Sequence, residues 1–180
     1  MNSILPKLKA LIFYGSLFTS TFLAFSHQTK LLGQASLVLL TIVIFTKPAV
    51  KLFPTIGFFK ILLAHRRQLG QATAFFALAH ASIQIKSYIF SFDLSDFRFW
   101  GLLAILLMIP LLITSNDFST RLLKRNWFLL QKLIHPLYIV AMIHYGLREG
   151  LFGLIKSAFI LSVLYFSRLL ASRNVKLLPR

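Results

Sequence analysis

Apolar residues in this chain gather into long runs divided by short polar or basic segments. The runs cover 11–25, 31–46, the stretch from just after Gly70 to about Phe90, 99–114, 126–149 and 151–170. As helices rising about 1.5 Å per residue, such runs cross all or most of a hydrocarbon core about 30 Å thick. The pattern predicts an all-α integral membrane protein, a six-transmembrane-helix bundle forming one domain over residues 1–180. The first run also has the form of a signal-peptide core, with Ala24 and Ser26 as a small pair before a cut. A retained span is the expectation, because further spans follow directly.

Punctuation supports these boundaries. Lys47-Pro48 is expected to end the second span and open a basic loop reaching Arg67. Asp93, Asp96 and Arg98 form a polar turn before the fourth span, where Trp100 reads as an interfacial anchor, and Ser115-Asn116-Asp117 closes that span beyond Pro110. Charge then orients the bundle. With the N-terminus cytoplasmic, only Lys30, Lys86, Arg98, Arg148 and Lys156 of the twenty Lys and Arg residues fall on the outer side, together with three of the four acids. The positive-inside rule therefore places both termini in the cytoplasm.

A hydrophobic content of 57% leaves no polar remainder large enough for a soluble domain. The net charge of +16 does not signal nucleic acid, since the basic residues lie between spans instead of on one folded face. The lack of cysteine excludes disulfides, thiolate-held iron–sulfur clusters and thioether-attached haem, so a redox cofactor would have to be held by histidine. No acid falls in the interior of an apolar run, Glu149 standing at the end of one, which disfavours an ion-coupled transporter.

Two histidines lie within spans at matching depth. His80 comes thirteen residues after Arg67 and His144 twelve after Lys132, so each has climbed about 18–20 Å from its last inner charge. An imidazole at that depth needs a partner. Two readings are open: the pair ligates a haem iron between separate helices, or each ring bonds a carbonyl or hydroxyl on a neighbour. His135 stands nine residues before His144, on the opposite side of an ideal helix, but Pro136 can bend or rotate the helix there, leaving His135 an alternative ligand. His27 and His65 are expected to be solvated.

The segments TIVIFTKPAVKLFP (41–54), RRQLGQATAFFALAH (66–80), GLLAILLMIPLLITS (101–115) and the Trp127-x16-His144 spacing together resemble the ferric-reductase-like transmembrane domain family over about residues 41–146. The resemblance implies a b-type cytochrome: an electron-transfer subunit, not a complete enzyme, that passes electrons across the bacterial inner membrane to a periplasmic molybdenum-dependent reductase of the methionine sulfoxide reductase kind. It implies haem b held by His80 and His144, with quinol or a cytoplasmic flavin reductase as donor. Related chains carry a further histidine thirteen residues before the last, where this one has Gln131 in L-Q-K-L, and at the level of a second span-three histidine it has Arg66 and Arg67. One outer haem is thus expected rather than two. A redox-silent accessory or assembly subunit that keeps the fold is the alternative. No flavin or nicotinamide fingerprint is present.

The charge distribution generates a direct test. Reporter fusions after Lys51 and Arg121 should score as cytoplasmic and one near Asp96 as periplasmic; the reverse pattern would invert the bundle.

Overall fold

The computed structural model describes residues 4–84 and 93–177, and among these every regular element is helical. In order they are α1 (Ile4–Phe25), α2 (Thr29–Leu52), α3 (Gly57–Ala64), α4 (Arg66–Gln84), α5 (Phe97–Ile113), α6 (Asp117–Leu123), α7 (Arg125–Leu130), a 3-10 turn over Gln131–Leu133, and α8 (Ile134–Leu177). The far end of the third predicted span, with Lys86 and Phe90, lies outside the described residues, as does the terminal Arg180. Among the described residues three helical stretches are long and apolar enough to cross a membrane, or four if α5 and α6, bent by 88° at their junction, count as one.

Broad apolar faces point outward. Along α1, Leu11, Tyr14, Phe18, Phe22 and Phe25 are exposed, and Leu151, Phe152, Ile155, Phe159, Val163 and Phe166 form a similar exposed set on α8. Such surfaces suit hydrocarbon and not water, so the chain is a membrane protein. The interior is built from Leu40 and Ile44 of α2, Ala74 and Ala77 of α4, Ala104, Met108 and Leu111 of α5, and Leu137, Tyr138, Met142 and Leu164 of α8. Small residues on α4 let α2 approach closely, and Ser36 Oγ donates to the Thr73 carbonyl across that interface at 3.1 Å. A second polar tie joins Thr41 Oγ1 to the buried Tyr138 hydroxyl at 3.1 Å.

Pro48 acts differently from the sequence expectation. The second span does not end at Lys47-Pro48: α2 runs on to Leu52, and the expected loop to Arg67 holds the short helix α3. Pro48 removes one helical N–H, but Pro48 and its neighbours Thr46 and Ala49 are buried, so packing keeps the helix intact there. Pro136 falls in the first turn of α8, where a missing N–H costs little. The predicted 126–149 span stays helical and tightens into a 3-10 turn over Gln131–Leu133, one turn before Pro136, because a proline ring crowds the carbonyl four residues before it, here that of Lys132. Arg67 and Asp117 form an ion pair that ties the start of α4 to α6. The Arg67 hydrogen bond and charge hold the Asp117 carboxyl below its usual range, so this link is fully present above that range and is released only as pH falls below it.

At forty-four residues α8 would extend about 66 Å if straight, twice a bilayer core. It folds back at Gly150, which takes φ 72° and ψ −156°, a left-handed conformation open to glycine. Arg168 then reaches His135, thirty-three positions earlier, so the two limbs run antiparallel. Gly146 and Gly153 make the return possible: a Cβ on Gly153 would lie 2.9 Å from the Gly146 carbonyl oxygen, and one on Gly146 2.8 Å from Leu154 Cδ2. Gly153→Ala should therefore destabilise the protein by about 1–3 kcal/mol, as overpacking does. Gly70→Ala, with open space around it, should be neutral or stabilise by about 0.5–1 kcal/mol. Thermal unfolding in detergent measures both, and equal melting temperatures for the two variants would contradict the close-approach account.

Candidate functional site

Two helix N-termini prepare the site. His27, with φ 52°, turns the chain between α1 and α2 so that α2 starts at Thr29. The second start is capped: the Asp96 side chain accepts from the Arg98 N–H at 2.8 Å, and Asp93 accepts from Ser95, fixing the turn from which α5 begins at Phe97.

Each of these first-turn residues presents its carbonyl to an imidazole on another helix. His80 Nδ1 lies 2.8 Å from the Thr29 carbonyl oxygen, and His144 Nδ1 2.7 Å from that of Phe97. A carbonyl can only accept, so in both rings Nδ1 carries the proton and Nε2 keeps its lone pair. One turn along each helix stands a glycine against the same ring. A Cβ on Gly33 would sit 3.3 Å from His80 Cε1 and Nδ1, and one on Gly101 2.9 Å from the matching atoms of His144. The site is thus made of two like halves, Thr29-Lys30-Leu31-Leu32-Gly33 with His80, and Phe97-Arg98-Phe99-Trp100-Gly101 with His144. In each, a carbonyl, then a basic residue, then a glycine fall at positions 1, 2 and 5.

The two rings come together, with centroids 6.5 Å apart and planes at 72°. They line a cavity of about 310 Å³ between α2, α4, α5 and α8, at the small end of the usual range for ligand pockets, about 300–1,000 Å³. Its walls are apolar, with Leu37, Leu40, Ala77, Ala104, Ile105 and Met108. Lys30, Arg98, Arg148 and Glu149 stand at its polar margin. Arg148 lies within Coulombic reach of both imidazoles. Among the described residues neither Nε2 has a protein partner, and no third His, Asp or Glu joins the pair as a metal-binding cluster.

The other histidines are elsewhere. His135 does not line the cavity; Arg168 Nη1 lies 2.9 Å and 3.2 Å from its two ring nitrogens. His27 is exposed, as expected. His65 is not solvated: it is 1% exposed, with Nδ1 2.8 Å from the Ile61 carbonyl oxygen and Nε2 buried without a partner. The expected loop is instead helical, and His65 stands at the junction between α3 and α4. Sequence reading missed Gly33, Gly101 and the two carbonyls, although the repeated K-x-x-G and R-x-x-G spacing at two span starts was visible. Gln131 points its amide toward Thr114 Oγ1 at 3.4 Å, next to the 2.8 Å bond from Trp127 Nε1 to the Thr114 carbonyl.

A helical membrane bundle with two facing intramembrane imidazoles is the class of protein so defined. The chain belongs to the family described as ferric reductase like transmembrane component, whose sequence model matches residues 32–142, taking in Gly33, His80 and Gly101 and stopping two residues before His144. It is similar to the protein-methionine-sulfoxide reductase heme-binding subunit MsrQ of Deinococcus radiodurans, 30% identical over 154 residues that cover 80% of this chain and 73% of that protein. The proteins of the same description from Agrobacterium fabrum and Xanthomonas campestris pv. campestris strain B100 are 31% and 35% identical over 94 and 100 residues. Those matches cover 48% and 47% of this chain and 44% and 43% of the relatives. No solved structure matches.

Proposed function

We propose that this protein is a membrane cytochrome b in which His80 and His144 are the axial ligands of one haem b, and that it delivers electrons to a methionine sulfoxide reductase. The observation that carries the reading is the pair of rings 6.5 Å apart, each with Nδ1 bound to a carbonyl and Nε2 bare. Two metal–imidazole bonds of about 2 Å, plus the halves of the two rings, add to about 6 Å. The residues therefore fit the group. Carbonyl-bound Nδ1 is also the arrangement that fixes ring orientation and raises the basicity of a ligating histidine.

Bound there, haem would supply one-electron chemistry at a potential set by its ligands and surroundings. The chain's own residues do the rest. Gly33 and Gly101 keep the space beside each imidazole free of side chains, the apolar wall from Leu37 to Met108 excludes water, and Lys30 and Arg148 are placed to meet the two carboxylates that such a group carries. A single haem agrees with Arg168 lying on His135 and with Gln131 turned to Thr114.

The six-span reading, with both termini in the cytoplasm of a bacterial inner membrane, is kept as part of the proposal. It is supported by the fold-back at Gly150, which divides α8 into two limbs, and by the relatives' bacterial sources. Along α4, fourteen positions and about 21 Å separate Arg66 from His80, a long gap for a cytoplasmic flavin reductase and a short one for a quinol dissolved in the membrane. Quinol is therefore the donor of choice, and a periplasmic molybdenum-dependent reductase the acceptor.

His80→Ala and His144→Ala should each abolish the low-spin haem absorption spectrum or convert it to a high-spin one, while His27→Ala leaves it unchanged. A normal spectrum in His144→Ala would remove that residue from the ligand set. Gly101→Val should shift the spectrum toward that of His144→Ala. In a haem-loaded preparation, Arg148→Gln should lower the midpoint potential by on the order of tens of millivolts, since a nearby cation favours the reduced form. An unchanged potential would place Arg148 away from the haem.

A further inference from the structure

The end of the bundle away from the cavity gathers basic groups that the proposed electron transfer does not use. Lys47 comes from α2, Arg66 from α4, His135 from the first limb of α8 and Arg168 from its second. Arg66 Nε donates to the Val43 carbonyl at 3.1 Å, which sets its guanidinium beside α2 one turn before Lys47. Arg168 Nη1 lies 2.9 Å and 3.2 Å from the His135 nitrogens. Arginine offers only donors, so this imidazole accepts and adds no acceptor for the remaining N–H groups of Arg168.

The four groups are within Coulombic reach of one another, and among the described residues no carboxylate acts on any of them. The recorded ion pair nearby uses Arg67, which turns to Asp117 instead. Arg66, Arg168 and His135 are half-buried, where like charges repel more strongly than in water and an unpaired cation is costly. Tyr165, one turn before Arg168, adds a hydroxyl near that guanidinium. Two guanidinium forks and one ammonium with no internal counter-charge match a tetrahedral oxyanion.

We propose that Lys47, Arg66 and Arg168, with Arg168 braced on His135, form a binding site for a phosphate group at the end of the bundle opposite the paired histidines. The exposed Lys47 opens the site toward the membrane surface, so the headgroup of an anionic phospholipid is one source of that group, and a soluble phosphoester is the other. The site binds phosphate whether or not the cavity holds haem.

The test uses the purified full chain in detergent, with unfolding temperature read against added phosphatidylglycerol, phosphatidylcholine or inorganic phosphate, and with phosphorus per protein measured after gel filtration. Phosphatidylglycerol should raise the unfolding temperature by several degrees more than phosphatidylcholine does. Arg168→Gln and Arg66→Gln should lose that difference, while Arg168→Lys keeps part of it and Lys132→Gln, an exposed lysine outside the cluster, keeps it all. Stabilisation by inorganic phosphate that is lost in the same variants also supports the site and assigns it to a soluble phosphoester. Equal responses to phosphatidylglycerol in wild type and in both glutamine variants would overturn the proposal. If those variants do not fold, the wild type decides: it must retain phosphorus or respond to one phosphate-bearing probe, and doing neither overturns the site.

Discussion

The structure depends on the need of an imidazole inside a membrane to place its N–H on an acceptor. At His80 and His144 that acceptor is a backbone carbonyl from the first turn of a neighbouring helix. The bond fixes more than a proton. It sets the tautomer, turns the bare nitrogen away from the helix that supplied the carbonyl, and requires the next turn of that helix to be glycine so that the ring can lie close. Because the same device occurs twice, on α2 with α4 and on α5 with α8, the two rings come to face each other across one cavity.

Close approach of backbones recurs where the chain must reverse. Between the limbs of α8, Gly146 and Gly153 bring the two turns next to Gly150 within contact distance, and that places Arg168 beside His135. The result is a bundle with two ends of different chemistry. One end has bare imidazole nitrogens in an apolar cavity with cations at its margin. At the other, an imidazole is already bonded to arginine amid further unpaired positive charge. A histidine in a membrane span is therefore not one kind of residue here: His144 and His135, nine positions apart on α8, differ in whether a carbonyl or a guanidinium reached them first.

The sequence by itself determined the helical class, the membrane setting and the depth match of His80 and His144. Run length and hydropathy are local properties, and a fixed rise per residue converts sequence spacing into height. It also marked Arg67 and Asp117 as boundary residues, and their ion pair is made at the starts of α4 and α6. Only the tertiary structure decided which groups meet. Proline's effect at 48 and 136 depended on packing and on its place in a helical turn, so α2 outran its expected end and the 126–149 run only tightened into a 3-10 turn before Pro136. His65 is buried at the end of α3, a helix too short to be read from periodicity. The pairing of Thr29 with His80, of Phe97 with His144 and of Arg168 with His135 joins positions 51, 47 and 33 residues apart, and no local pattern carries a contact over such distances; helix-to-helix docking does.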